Sequence, residues 1–225
     1  MQISKNIMNR ITLTLTFLLT TFLCFGQNEH LEPARNFNQY DSDLKEYYDN
    51  VFPLLYRGFS EKPYARYASM PSFSANYAFS VEKNDEKYYI ITNTLSENFW
   101  YAGYDKKGNM DNKRRKSVKL NTIKTEINNE LYLKIGELFE LLANQTKVPE
   151  KKQFGCDGTT YYFSTTDKNG EIKIGTTWSP EEKSLLGRLI KICNDLYFAG
   201  REKNINQKKI TEEITVLIND FKKNN

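Results

Sequence analysis

Residues 159–182 read TTYYFSTTDKNGEIKIGTTWSPEE, and this stretch decides the fold. Thr159 to Thr166 is rich in Thr and aromatic residues, which suit a pleated, half-buried strand. Asp167-Lys168-Asn169-Gly170 is a turn, and its Asn-Gly end tolerates left-handed backbone. Glu171 to Trp178 returns as a second strand, which makes a hairpin. Ser179-Pro180-Glu181-Glu182 then combines three helix-start signals. Ser179 caps, Pro180 takes the first helical position and Glu182 completes a capping box. The helix carries Leu186, Ile190, Cys193 and Tyr197 on one stripe, with Leu185, Leu189 and Leu196 beside it, and Gly200 closes it. A hairpin feeding an amphipathic helix sets an α+β expectation.

The same grammar extends in both directions. Downstream, Ile210, Ile214, Leu217 and Phe221 form another apolar stripe at helical spacing. Upstream, residues 128–145 carry Leu131, Ile135, Leu138 and Leu142 with Phe139 alongside, and Pro149 lies beyond the stop. Residues 118–124 alternate and read as a strand. Residues 74–82 put Ala75, Tyr77, Phe79 and Val81 on one face. Lys83-Asn84-Asp85-Glu86 turns the chain, and Tyr88 to Thr94 returns. Tyr64, Arg66 and Ala68 alternate before Pro71, and residues 96–104 offer a further strand. Nearer the start, Asp41 or Ser42 caps a helix with Leu44, Tyr47, Tyr48, Val51 and Leu55 on one stripe. Pro53 is expected to kink or split that helix, and Gly58 to end it. The whole reads as one α+β domain over residues 41–225. An antiparallel sheet of five to six strands is packed by three to four helices on one face.

Residues 1–26 stand apart. Lys5 and Arg10 form a basic start, residues 11–25 an uncharged apolar run, and Gly26 a small residue suited to a cleavage site. That is the pattern of a secretory signal peptide. The run is shorter than the roughly 20 residues a membrane-spanning helix needs, so no span is expected after cleavage. An uncleaved anchor and a lipoprotein at Cys24 are the competing readings. Leu23, where a lipobox has a small residue, argues against the second. Residues 27–40 are polar and aperiodic, and read as a flexible tail. The expected compartment is periplasmic or extracellular.

Composition narrows the chemistry. The chain has 225 residues, 32 Lys and Arg against 28 Asp and Glu, and a formal charge of +4. Removing the signal peptide takes away two of the cations. Such a near-neutral chain is not expected to bind nucleic acid. The single histidine, His30, sits in the tail, so Ser-His-Asp and Cys-His schemes have no positioned base. Zinc sites draw on several His or Cys, and no metal or other cofactor is expected. Asp167 to Glu171 suggests a calcium loop, but its Gly170 comes too early for an EF-hand. Of the two remaining cysteines, Cys193 lies roughly 21 Å along a helix that runs back from Cys156's end of the hairpin. A disulfide needs Cα atoms within about 7 Å, so a bridge is not expected.

Two candidate sites remain. Asp157 sits in Cys156-Asp157-Gly158 ahead of the first hairpin strand. The start of one hairpin strand and the end of the other are neighbours, so Asp157 is placed near Trp178 and Ser179. A carboxylate beside an indole face suits a sugar platform, while Asp-Gly is also an ordinary turn pair. Sugar cleavage needs a second carboxyl. Glu181 and Glu182 are near in sequence but serve the helix start. The second candidate is the basic stretch over residues 105–117, with Lys113, Arg114, Arg115 and Lys116 as an anion-binding group or a solvated loop. No aromatic residue interleaves that run, which argues against single-stranded nucleic acid.

Gly155-Cys156-Asp157-Gly158-Thr159-Thr160-Tyr161-Tyr162-Phe163 and Thr177-Trp178-Ser179-Pro180-Glu181-Glu182 resemble stretches of small exported proteins of Bacteroidota. The Asn/Lys/Ile/Tyr-rich composition and the Phe-Gly-Gln signal end are similar to that group too. The resemblance implies export and carries no catalytic residues. The expectation is an exported, non-enzymatic binding or accessory protein with a protein or glycan partner. A carboxylate-dependent glycan hydrolase is the alternative.

Overall fold

The computed structural model describes residues 29–36, 38, 42–99, 103–104, 110–111, 118–149 and 157–224. In chain order the elements are β1 (Glu32–Pro33), α1 (Ser42–Leu55), β2 (Ala65–Pro71), β3 (Tyr77–Asn84), β4 (Lys87–Leu95), β5 (Gly103–Tyr104) and β6 (Met110–Asp111). Then come β7 (Leu120–Ile127), α2 (Asn129–Gln145), β8 (Thr159–Thr166), β9 (Ile172–Trp178), α3 (Leu185–Glu202) and α4 (Gln207–Lys223). Seven strands form one sheet in the order β1-β9-β8-β2-β3-β4-β7, with every neighbouring pair antiparallel. Strands β5 and β6 make a separate two-stranded ribbon. The fold is α+β, with slightly more strands than the pattern suggested.

Side-chain alternation along the strands builds two apolar layers. On one face Tyr67, Phe79, Val81, Ile90 and Phe163 meet α2, α3 and α4 in the larger core. Tyr67 is fully buried, and its ring lies 5.3 Å from that of Phe163 and 5.5 Å from that of Phe79. Its hydroxyl and that of Tyr77 each donate to Asn194 Oδ1 at 2.8 Å, which pins α3 to the sheet. The opposite face carries Ala68, Met70, Ala78, Leu95 and Tyr162, and α1 lies over it through Val51 and Leu55. Three helices therefore share one face, and α1 adds a layer on the other. The two alanines leave room for this close approach. Asn93, fully buried, donates to the carbonyls of Leu55 (2.7 Å) and Arg57 (3.0 Å), and so satisfies the C-terminal end of α1.

Several boundaries differ from the pattern. Within the segment expected to be a tail, residues 31–34 are tied to the domain. Leu31 is 1% exposed in the larger core, β1 pairs with β9, and Ala34 N–H donates to Ile174. A two-residue strand has no periodicity to read. Pro33 is tolerated there because β1 is an edge strand. His30 Nδ1 donates to the Leu31 carbonyl at 3.0 Å. Pro53 does not split α1, which runs unbroken from Ser42 to Leu55. Residues 96–99 form no strand.

Helix α3 starts at Leu185, not beside Ser179. Ser184 is its cap, accepting from Gly187 N–H, and Glu29 Oε2 accepts from Leu185 N–H at 2.9 Å. Gly200 lies inside α3, and the helix closes at Lys203 in left-handed backbone. Cys193 is free and buried in the core. Burial pushes its thiol well above the usual range, so it is inert at neutral pH. Cys156 lies outside the described residues. No helix among the described residues is long and apolar enough to cross a membrane.

Candidate functional site

The cleft is built where β2, β8 and β9 end beneath the first half of α1. Ladder pairing sets Thr160 opposite Trp178. Beyond the ladder, Ser179 N–H donates to the Thr159 carbonyl at 3.0 Å, and Ser179 Oγ accepts from Thr159 N–H at 2.8 Å. This double link holds Ser179 in left-handed backbone, at a φ of 35°. It also explains why Ser179 does not cap a helix: its oxygen is engaged across the ladder. Ser72, just past β2, donates through N–H and Oγ to the Gly158 carbonyl, at 3.0 and 2.9 Å. Asp157 is thereby set at the mouth of the three strand ends.

Gly158 is required by contact. A Cβ there would stand 2.7 Å from Trp178 Nε1, 2.8 Å from its Cε2 and 2.6 Å from Ser179 Oγ. The indole thus packs on the backbone beside Asp157. Gly158→Ala is expected to push the indole outward and to cost about 1–3 kcal/mol of stability. In a Trp100→Phe background the Trp178 emission should shift to the red. An unchanged spectrum and unchanged urea midpoint would contradict this packing.

The wall opposite comes from α1. Tyr47 and Tyr48 face the sheet, with the Tyr48 ring 6.4 Å from that of Tyr162 and edge-on to it. Asn76 orients Tyr47: its Nδ2 donates to the phenol oxygen at 3.2 Å, and its Oδ1 accepts from Phe99 N–H at 3.3 Å. Burial pushes the Tyr47 phenol up to about 12, outweighing the Asn76 hydrogen bond, so it is neutral at physiological pH. Asn98 donates to the carbonyls of Pro71 and Ser72 and braces the third side. The cleft is open to solvent on one side and has a volume of about 440 Å³, within the range of roughly 300–1,000 Å³ typical of small-molecule sites.

Four of the twelve described lining residues are aromatic. Tyr47, Tyr48, Phe73 and Trp178 supply the rings, and Phe73 is 81% exposed. Asp157 is the one carboxylate among the described lining residues. Its oxygens, the Trp178 N–H and the Thr160 hydroxyl make no hydrogen bond among the described residues. The structure therefore brings Asp157 and Trp178 together, as hairpin geometry required. Ser179 stands behind them and does not line the cleft. Sequence reasoning treated Tyr47 and Tyr48 as core-facing residues of a helix stripe. Phe73 carried no signal beyond being an aromatic residue near Pro71.

Glu182 lies on the other side of the sheet. It borders a surface depression with Tyr161, Asn194 and Phe198. Tyr161 points to the face opposite Thr160 and Trp178, so Glu182 does not meet Asp157 across a ligand. Lys113, Arg114, Arg115 and Lys116 lie outside the described residues. Among the described residues, no group of three or more His, Cys, Asp or Glu side chains is placed to hold a metal ion. The chain matches no family model, no curated protein and no solved structure.

Proposed function

We propose that this is an exported, non-enzymatic binding or accessory protein of the bacterial envelope, and that its ligand sits in the cleft between α1 and the strand ends. Residues 1–26 direct export, and cleavage after Gly26 leaves Gln27 first. The observation that carries the binding reading is that Asp157 and the Trp178 N–H, without a hydrogen bond among the described residues, share one concave site with aromatic rings. A rigid sheet end and a pinned helix hold those groups before a ligand arrives, which lowers the ordering cost of binding. The hydrolase alternative needs a second carboxyl facing Asp157. Of the two candidates near it in sequence, Glu181 and Glu182, neither lines the cleft among the described residues, and Glu182 borders the depression on the other face.

The test is a thermal-shift screen of residues 27–225 against glycans, peptidoglycan fragments and divalent metals, with an Asp157→Ala, Trp178→Ala variant alongside. A ligand at 100 times its Kd stabilises by about 2.7 kcal/mol. For a chain of this size that is roughly 5–10 °C in Tm. The expected result is a shift of this order in wild type that vanishes in the still-folded variant. A shift that survives in the variant, or envelope crosslinks that map away from α1 and the strand ends, would overturn the cleft as the binding site.

A further inference from the structure

We infer that the cleft ligand is a carbohydrate, a neutral polyhydroxylated ring that stacks on an aromatic face and is hydrogen-bonded by Asp157 and Trp178. The inference rests on the binding reading above and adds the class of ligand. Three classes meet an aromatic cleft with a carboxylate: a cation held by ring faces, an apolar peptide side chain, and a sugar. The polar groups separate them.

The Asp157 carboxylate only accepts hydrogen bonds, and the Trp178 indole only donates. The Thr160 hydroxyl, across the ladder from Trp178, does both, and all three residues line the same cleft. A cation satisfies Asp157 but gives the indole N–H no acceptor. An apolar side chain satisfies neither and leaves both groups to water, so it gains nothing from the polar edge of the cleft. Sugar hydroxyls donate and accept from the same atom. Two neighbouring hydroxyls can place one donor on Asp157 while another oxygen accepts from Trp178.

The apolar half of the match is the ring surface. Phe73 stands 81% exposed at the cleft, an unusual placement for a phenylalanine. Tyr48, which also lines the cleft, is held by its packing on Phe52 and Tyr162. The C–H face of a pyranose covers such rings while its hydroxyl edge turns to Asp157. Phe73 and Trp178 are thus assigned as stacking residues, and Asp157 as the residue that reads hydroxyl position.

The test follows Trp178 emission in full-length mature protein carrying Trp100→Phe. It is titrated separately with neutral trisaccharides of glucose, N-acetylglucosamine and xylose, with tetramethylammonium chloride, and with an apolar tripeptide. At least one trisaccharide should give a saturable change. Phe73→Ala and Asp157→Asn should each weaken it about tenfold, and Trp178→Phe, which keeps a ring but loses the N–H, by a similar factor. Isothermal calorimetry reads the last variant. A saturable response to the cation or the peptide with none to any sugar overturns the carbohydrate assignment and leaves the cleft reading standing. Sugar binding that is unchanged in Phe73→Ala and Asp157→Asn overturns both.

Discussion

Asn93→Ala is expected to destabilise the protein by about 2–4 kcal/mol. The side chain is fully buried and serves three partners. Its Nδ2 donates to the Leu55 and Arg57 carbonyls, and its Oδ1 accepts from the Thr122 hydroxyl at 2.6 Å. Alanine leaves two carbonyls and a hydroxyl without this partner. The buried Leu55 carbonyl so abandoned costs about 1–3 kcal/mol. The Arg57 carbonyl and Thr122 hydroxyl, on exposed residues, cost less, and the small cavity adds to that. Asn93 is also the bolt between α1 and the sheet, so its loss should loosen the wall that carries Tyr47 and Tyr48. Urea unfolding should show the midpoint falling with little change in slope. Ligand affinity at the cleft should fall as well. A loss below about 1 kcal/mol would mean that water replaces the side chain, and that α1 is not held from this point.

Alkaline pH should unfold the protein. Burial raises the phenols of Tyr47, Tyr56, Tyr64, Tyr67, Tyr77, Tyr132, Tyr161 and Tyr197, with Tyr47 and Tyr64 at about 12. In the unfolded chain tyrosine titrates near 10. Above that pH the unfolded state has shed protons that the folded state keeps. It binds fewer protons, so stability falls as pH rises. The contribution is fully present below about pH 10 and is lost as pH climbs toward 12. For Tyr47 alone the loss at pH 11 is roughly 1 kcal/mol. Tyr67, fully buried, and Tyr56 add to this, while Tyr64, Tyr132 and Tyr161, partly open to solvent, add less. The loss is a sizeable part of a typical total stability of about 5–15 kcal/mol. Urea midpoints measured at pH 8, 10 and 11 should drop steeply over the last step. Tyrosinate absorbance at pH 11 should be smaller for the folded protein than for the unfolded chain. A flat midpoint from pH 8 to 11 would show that these phenols are hydrated.

Both predictions concern groups whose roles depend on distant partners, and this divides what the chain spells out from what it does not. The β8–β9 hairpin was legible because its turn, its alternation and its strand lengths all lie within 20 consecutive residues. Asp157 could be set beside Trp178 for the same reason, since a hairpin brings its two ends together whatever else the fold does. The stripes of α2 and α4 were legible because one apolar face at helical spacing has a single local solution. The start of α3 was misread because Ser179 satisfies every local rule for a cap. Only the ladder partner, Thr159, shows that its oxygen is already taken. β1 was missed because two residues have no period, and Leu31 is buried only once β9 and α2 exist to cover it.

By itself, then, the sequence determined the α+β class, the hairpin, the main helices and the Asp157–Trp178 pairing. Tertiary structure alone decided that α1 lies on the opposite face, that Tyr47, Tyr48 and Phe73 join that pair in a cleft, and that Glu182 is excluded from it. The physical reason is range. Turns, caps and periodicity are set by hydrogen bonds and side-chain directions a few residues apart. The placement of α1 rests on many weak burial terms and on Asn93, which meets its partners across more than 30 residues of chain.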